Sequence, residues 1–77
     1  MKMIENSECQ IAFGEYIKRG REKKGYTQTE IAEQLGVTQS YYSKIESGTR
    51  NLDFVVALKI CSLLNLNMME FVSQYIE

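Results

Sequence analysis

The chain has 77 residues, 44% of them hydrophobic, and contains no histidine, proline or tryptophan. Nine basic and ten acidic residues leave a net charge of −1. These values fit one small globular domain and argue against a disordered chain, a histidine-based catalyst and a strongly basic, non-specific nucleic-acid binder.

The start, MKMIENSE, has no apolar stretch of signal-peptide length, so a cytoplasmic chain without a leader is expected. No apolar run reaches the roughly 18 residues of a membrane span. Ser7 with Gln10 reads as a capping box, opening a helix to about Lys24 that stops at Gly25. Phe13, Ile17 and then Gly20 or Arg21 form its inward stripe. Cys9 lies in this helix, and Cys61 sits in an apolar stretch as a small core residue; two cysteines make no disulfide framework. Thr27 with Glu30 is a second capping box, flanked by a Tyr26–Ile31 staple, and the helix QTEIAEQL ends at Gly36. Thr38 caps the next helix, with Val37 and Tyr42 as its staple, and Gly48 ends it. Asp53 or Asn51 caps a fourth helix, FVVALKICSLL. Asn67 with Glu70 opens a fifth, over about residues 68–75, with Leu66 and Phe71 as the staple. No stretch alternates as a strand does. The expected fold is all-α, with five helices in a single domain over residues 1–77.

The second and third helices are joined by a three-residue turn containing Gly36, which is the helix-turn-helix pattern, over about residues 28–47. Ala32 is small where the two helices cross, and Ile31, Leu35, Val37, Tyr42 and Ile45 supply their shared apolar face. A plain helical hairpin has the same core. What separates the two readings is the outer face of the third helix: Gln39, Ser40, Ser43, Lys44 and Ser47, donors and acceptors with no acid among them. Charge is also uneven. Residues 1–17 carry −2, residues 18–50 carry +3 and residues 51–77 carry −2. An aromatic doublet divides this helix, since neighbours point about 100° apart. Tyr42 takes the inward staple position and Tyr41 the shoulder, where its hydroxyl can reach a phosphate.

Residues 12–72 resemble the phage-repressor-like (Cro/C1, or XRE-type) helix-turn-helix family. The motifs that carry the resemblance are R-x-x-x-G-x-T-Q from Arg21, I-A-x-x-x-G-V from Ile31 and I-E-x-G-x-R from Ile45. Within that family SYYSKIE followed by TRNL looks most like the small controller proteins of restriction–modification systems. The resemblance implies a compact lambda-repressor-like DNA-binding domain. It makes Gln39–Ser47 the recognition helix, in the major groove. Gln39, Ser40 and Lys44 become the base-reading residues, with Ser43 as a secondary contact. Gln28, Thr38, Tyr41, Arg50 and Asn51 fall to the DNA backbone; in the similar controller proteins the Arg-Asn pair faces DNA. Arg21 and Glu46 match positions that pair across the domain, which removes Arg21 from the DNA face. Lys18, Arg19, Lys23 and Lys24 then form a solvated, long-range steering face.

Where relatives usually have leucine before that arginine, this chain has Gly20, and where they have Ile or Val it has Tyr42. The expectation is that Gly20 makes room for the Tyr42 ring. Met68, Met69, Val72, Tyr75 and Ile76 in and after the fifth helix offer more apolar surface than one domain buries, so a homodimer through this helix is expected. The partners are therefore a double-stranded DNA operator and a second copy. No cofactor, metal, membrane or small-molecule ligand is expected. With no metal-spaced cysteines and no phosphate-binding glycine loop, an enzyme is not expected. An antitoxin-like or anti-repressor module on the same fold is the alternative.

Overall fold

The computed structural model describes residues 6–75. They form α1 (Asn6–Lys23), α2 (Gln28–Leu35), α3 (Gln39–Ser47), α4 (Phe54–Leu64) and α5 (Met68–Tyr75), with no strand among them. The all-α, five-helix expectation is borne out.

Local chemistry sets most boundaries. Thr27 accepts from the Glu30 N–H at 3.1 Å while the Glu30 carboxylate accepts from the Thr27 N–H at 2.8 Å, closing the box. Thr38 accepts from the Tyr41 N–H at 3.1 Å. Of the two proposed caps for α4 it is Asp53 that serves, accepting from Val55 and Val56. Asn67 accepts from the Met69 N–H at 2.8 Å, but the Glu70 carboxylate takes a bond from Gln74. At the start of α1 the expectation fails: Ser7 lies inside the helix and not at its cap.

The core is shared by all five helices. Ile17, Ile31, Tyr42, Ile60 and Leu64 are fully buried at its centre. Ala32 is buried where α2 meets α3, and Gly36, at φ 73°, makes the left-handed turn between them. Phe13, Tyr16, Phe71 and Tyr75 pack edge to face, tilted or stacked, with centroids 5.0–6.1 Å apart, and fasten α5 to α1. Leu35 and Val37, expected in the shared face, are only half-buried.

Two glycines of α1 have opposite meanings. A Cβ on Gly14 would lie 2.3 Å from the Glu46 carbonyl oxygen and 2.7 Å from that of Ile45, so the backbones of α1 and α3 touch there. Gly48, with φ 74°, is pressed the same way against Ile11. Gly20 does not serve the role expected of it. Its nearest neighbours are the side-chain atoms of Leu66, at 3.0–3.3 Å from a Cβ placed there, and the Tyr42 ring is not among them. The cause is the turn after α4: Leu66 donates its N–H to the Cys61 carbonyl at 2.8 Å, which folds its side chain back over α1. Tyr42 instead fills the interior beside Arg21 and Glu46, its hydroxyl buried without a hydrogen-bond partner. Burial, with the Glu46 carboxylate nearby, pushes its phenol well above the ordinary 10.0.

A methyl group at Gly20 meets the branched end of the Leu66 side chain at 3.0–3.3 Å, which has only to shift by a few tenths of an ångström, and Ala is about 1 kcal/mol better than Gly inside a helix. Gly20→Ala is therefore expected to leave the melting temperature unchanged or raise it by a few degrees. A fall of more than about 2 kcal/mol in a thermal melt, the size of an overpacking penalty, would contradict this reading of the contact.

Candidate nucleic-acid interface

α2, α3 and the loop after α3 present the outer polar residues on one side of the domain. The anchor of this side is internal. Arg21 donates from Nε to Glu46 Oε2 at 2.6 Å and from Nη2 to Oε1 at 3.2 Å, and from Nη1 to the Tyr26 carbonyl at 2.7 Å. Both residues are buried, at 8% and 6% exposure. Burial on its own would raise the Glu46 carboxyl, but the hydrogen bonds from Arg21 and Gln28 outweigh it and hold that carboxyl below the ordinary 4.5.

From this pair a chain of bonds runs outward. Gln28 donates Nε2 to Glu46 Oε1 at 3.0 Å, and Gln39 donates Nε2 to Gln28 Oε1 at 2.6 Å. The polarity is forced. A carboxylate only accepts, so Gln28 must turn its NH2 inward and its oxygen outward. Gln39 must then donate to Gln28, which leaves its own oxygen and its second N–H free. One free acceptor beside one free donor is the set that pairs with the N6 and N7 edge of adenine.

Ser40 and Lys44 stand exposed on the same helix, and Ser43 is half-buried. Thr38 is exposed, its oxygen engaged as the α3 cap. The Ser47 hydroxyl donates to the Lys44 carbonyl at 3.1 Å. Arg50 is exposed, its guanidinium 4.4 Å from the centroid of the half-buried Tyr41 ring. Asn51 accepts from Gln10 of α1 at 2.9 Å. That bond occupies the side-chain oxygen and leaves the amide N–H groups available. Glu46 is the only acid on α3, and it is buried and paired.

Sequence reasoning missed the Gln28–Glu46, Gln28–Gln39 and Gln10–Asn51 bonds and the contact at Gly14. The last left a signal, since Gly14 sits between Phe13 and Ile17 on the inward face, where a glycine marks close backbone approach.

The five residues assigned to a dimer contact are not equivalent. Met69 is 70% exposed, whereas Met68, Val72 and Tyr75 are half-buried against the core, and Ile76 lies outside the described residues. The larger exposed apolar surface is on α4: Phe54 is 70% exposed, Val55 56% and Leu58 44%. Beside Phe54 a cleft of about 430 Å³ runs between α1, α4 and α5. Among the described residues no group of His, Cys, Asp and Glu could hold a metal ion. No single helix among them is long and apolar enough to cross a membrane.

Comparison with known proteins gives a consistent picture. The helix-turn-helix family profile matches residues 17–71. The chain is 35% identical over 68 residues to control protein C.MunI of Mycoplasma sp., an alignment covering 87% of this chain and 92% of that protein. It is 40% identical over 45 residues, 58% of its length, to YqaF, an uncharacterized HTH-type transcriptional regulator of Bacillus subtilis (strain 168). It spans 59% of YqaF, 51% of the prophage-derived regulator YonR and 48% of YqaE, all from Bacillus subtilis (strain 168). The crystal structure of the restriction-modification controller protein C.AhdI from Aeromonas hydrophila superposes with a TM-score of 0.73 at 31% identity, covering 80% of this chain and 94% of that one.

Proposed function

Because the chain belongs to the Cro/C1-type helix-turn-helix family, we propose that it is a sequence-specific transcriptional regulator that binds a pseudo-palindromic double-stranded DNA operator as a homodimer in the cytoplasm. The observation that carries this reading is the fixed amide of Gln39. It is held through Gln28 by a buried ion pair, so its free edge is set before DNA arrives. With α3 in the major groove, Gln39, Ser40 and Lys44 read base edges and Ser43 assists. Gln28 and Thr38, at the N-termini of α2 and α3, hold phosphates with the help of the helix dipoles. Arg50 and Asn51, beyond the other end of α3, face the backbone. The relatives are transcriptional regulators and a control protein, so the reading is of a binding protein and not an enzyme.

One α3 makes few base contacts, so two copies are required for a useful specificity ratio. The exposed Phe54, Val55 and Leu58 of α4, with Met69 of α5, supply the apolar surface for that pairing. This moves the contact from α5 alone to both helices.

Selection of binding sites from random duplex DNA tests both halves. The expected product is an inverted repeat whose half-sites lie about one helical turn apart, or a multiple of it, with adenine at one position of each half-site. No enrichment over random DNA would remove the specific-regulator reading. Enrichment of an unrepeated half-site would remove the dimer.

A further inference from the structure

The loop after α3 is fastened on both sides of Arg50. Before it, Thr49 donates its N–H to the Lys44 carbonyl at 3.1 Å, and the Thr49 and Ser47 hydroxyls bond each other at 2.9 Å. After it, Asn51 is tied to Gln10 of α1 at 2.9 Å. Only the Arg50 side chain could wander, and the Tyr41 ring lies under its guanidinium at 4.4 Å. The ring is a firm platform, since Tyr41 is half-buried and its N–H caps α3 through Thr38.

We propose that Tyr41 is a positioning residue: its ring holds the Arg50 guanidinium by its face, on the flank of α3, so that the N–H edge is presented to a DNA phosphate. The proposal rests on the DNA-binding reading above and gives Tyr41 a different task from the phosphate contact expected of its hydroxyl. Stacking uses the face of the guanidinium and leaves its edge donors free. Among the described residues Arg50 forms no ion pair, so its charge is kept for an outside anion. Ordering a long side chain before binding removes that cost from the binding step.

The test is a double-mutant cycle on the selected operator, read by fluorescence anisotropy, with Tyr41→Phe, Tyr41→Leu, Arg50→Gln and the Tyr41→Leu/Arg50→Gln pair. Tyr41→Leu is expected to weaken binding about fivefold in the wild-type background and less than about twofold once Arg50 is gone. Tyr41→Phe keeps the ring and is expected to bind as the wild type does. Equal losses in both backgrounds, or a Tyr41→Phe loss as large as that of Tyr41→Leu, would overturn the proposal. Arg50→Lys covers the case in which Tyr41→Leu does not fold. It keeps the charge without the planar face, and wild-type binding by it would equally overturn the proposal.

The free protein supplies an independent arm. The Arg50 Nε–H resonance should be ring-current shifted in the wild type and Tyr41→Phe, and relax in Tyr41→Leu. An unmoved resonance refutes the stack. If no operator were enriched, the regulator reading would fail while this resonance still decided the stack.

Discussion

Arg21→Ala is expected to lower stability by about 3–5 kcal/mol, the usual cost of breaking a buried ion pair from one side. Arg21 lies among basic residues of α1 but points inward, and its side chain is only 10% exposed. Its removal leaves the Glu46 carboxylate, 3% exposed, with Gln28 as its remaining donor. A domain of this size has about 4–12 kcal/mol in total, so the melting temperature should fall by about 15–30 °C. Operator affinity measured where the variant is still folded should fall far less than stability does. An unchanged melting temperature with lost binding would show that Arg21 contacts DNA directly.

The same pair fixes a pH signature. Glu46 titrates below the ordinary 4.5 in the folded protein. Its contribution is therefore fully present above pH 4.5 and is lost as pH falls through the lower, folded-state value. Without Arg21 the burial that opposes ionisation has far less against it. The stability gap between wild type and Arg21→Ala should be widest near neutrality and close on acidification. A gap constant between neutrality and pH 4 would mean that Glu46 is not the group left stranded.

The second large effect is expected at Gly14. In Gly14→Ala the new methyl meets carbonyl oxygens at 2.3 and 2.7 Å, and both belong to the α3 backbone. Reaching ordinary contact requires α3 to move about 1 Å, and close-packed interiors resist such shifts. A loss of about 2 kcal/mol or more is expected, even after the helix-propensity gain of Ala over Gly. Because α3 carries Gln39, Ser40 and Lys44, operator affinity should fall as well. Melts of Gly14→Ala and Gly20→Ala side by side give the check. A single added methyl should harm the first and spare the second, and a Gly14→Ala protein as stable as the wild type would mean that α1 and α3 are less closely seated than described.

Much of this architecture is legible in the sequence because its determinants are local. The Thr27–Glu30 box, the Thr38 cap and the glycines that stop α2 and α3 act within a few residues of themselves. The Arg21–Glu46 pair spans 25 positions and came only through family resemblance, since no local pattern couples the two. What could not be read depends on which distant segments meet. Gly20 and Tyr42 are a plausible small-for-large exchange, but Leu66 arrives over Gly20 from a turn 46 residues downstream. The Gln10–Asn51 bond joins residues 41 apart, and nothing in either neighbourhood announces it. The apolar surface of α4 leaves no sequence signal, because FVVALKICSLL is apolar apart from Lys59 and Ser62, and only packing shows that Phe54 and Val55 face out.

If α3 reads an operator as proposed above, the bond between Gln28 and Gln39 has a consequence for anyone seeking to retarget this protein to a new one. Position 39 is not an independent letter in a recognition code. Its amide polarity is dictated by position 28, whose own is dictated by Glu46. An arginine grafted at position 39 to read guanine would find the Gln28 oxygen competing for its donors. A small side chain there would strand that oxygen and loosen Gln28 at the same time. Libraries that vary position 39 alone thus search against the scaffold, whereas co-varying 28 with 39 treats the two as one reading unit. Ser40 and Lys44, exposed on the same helix, are the positions to vary singly.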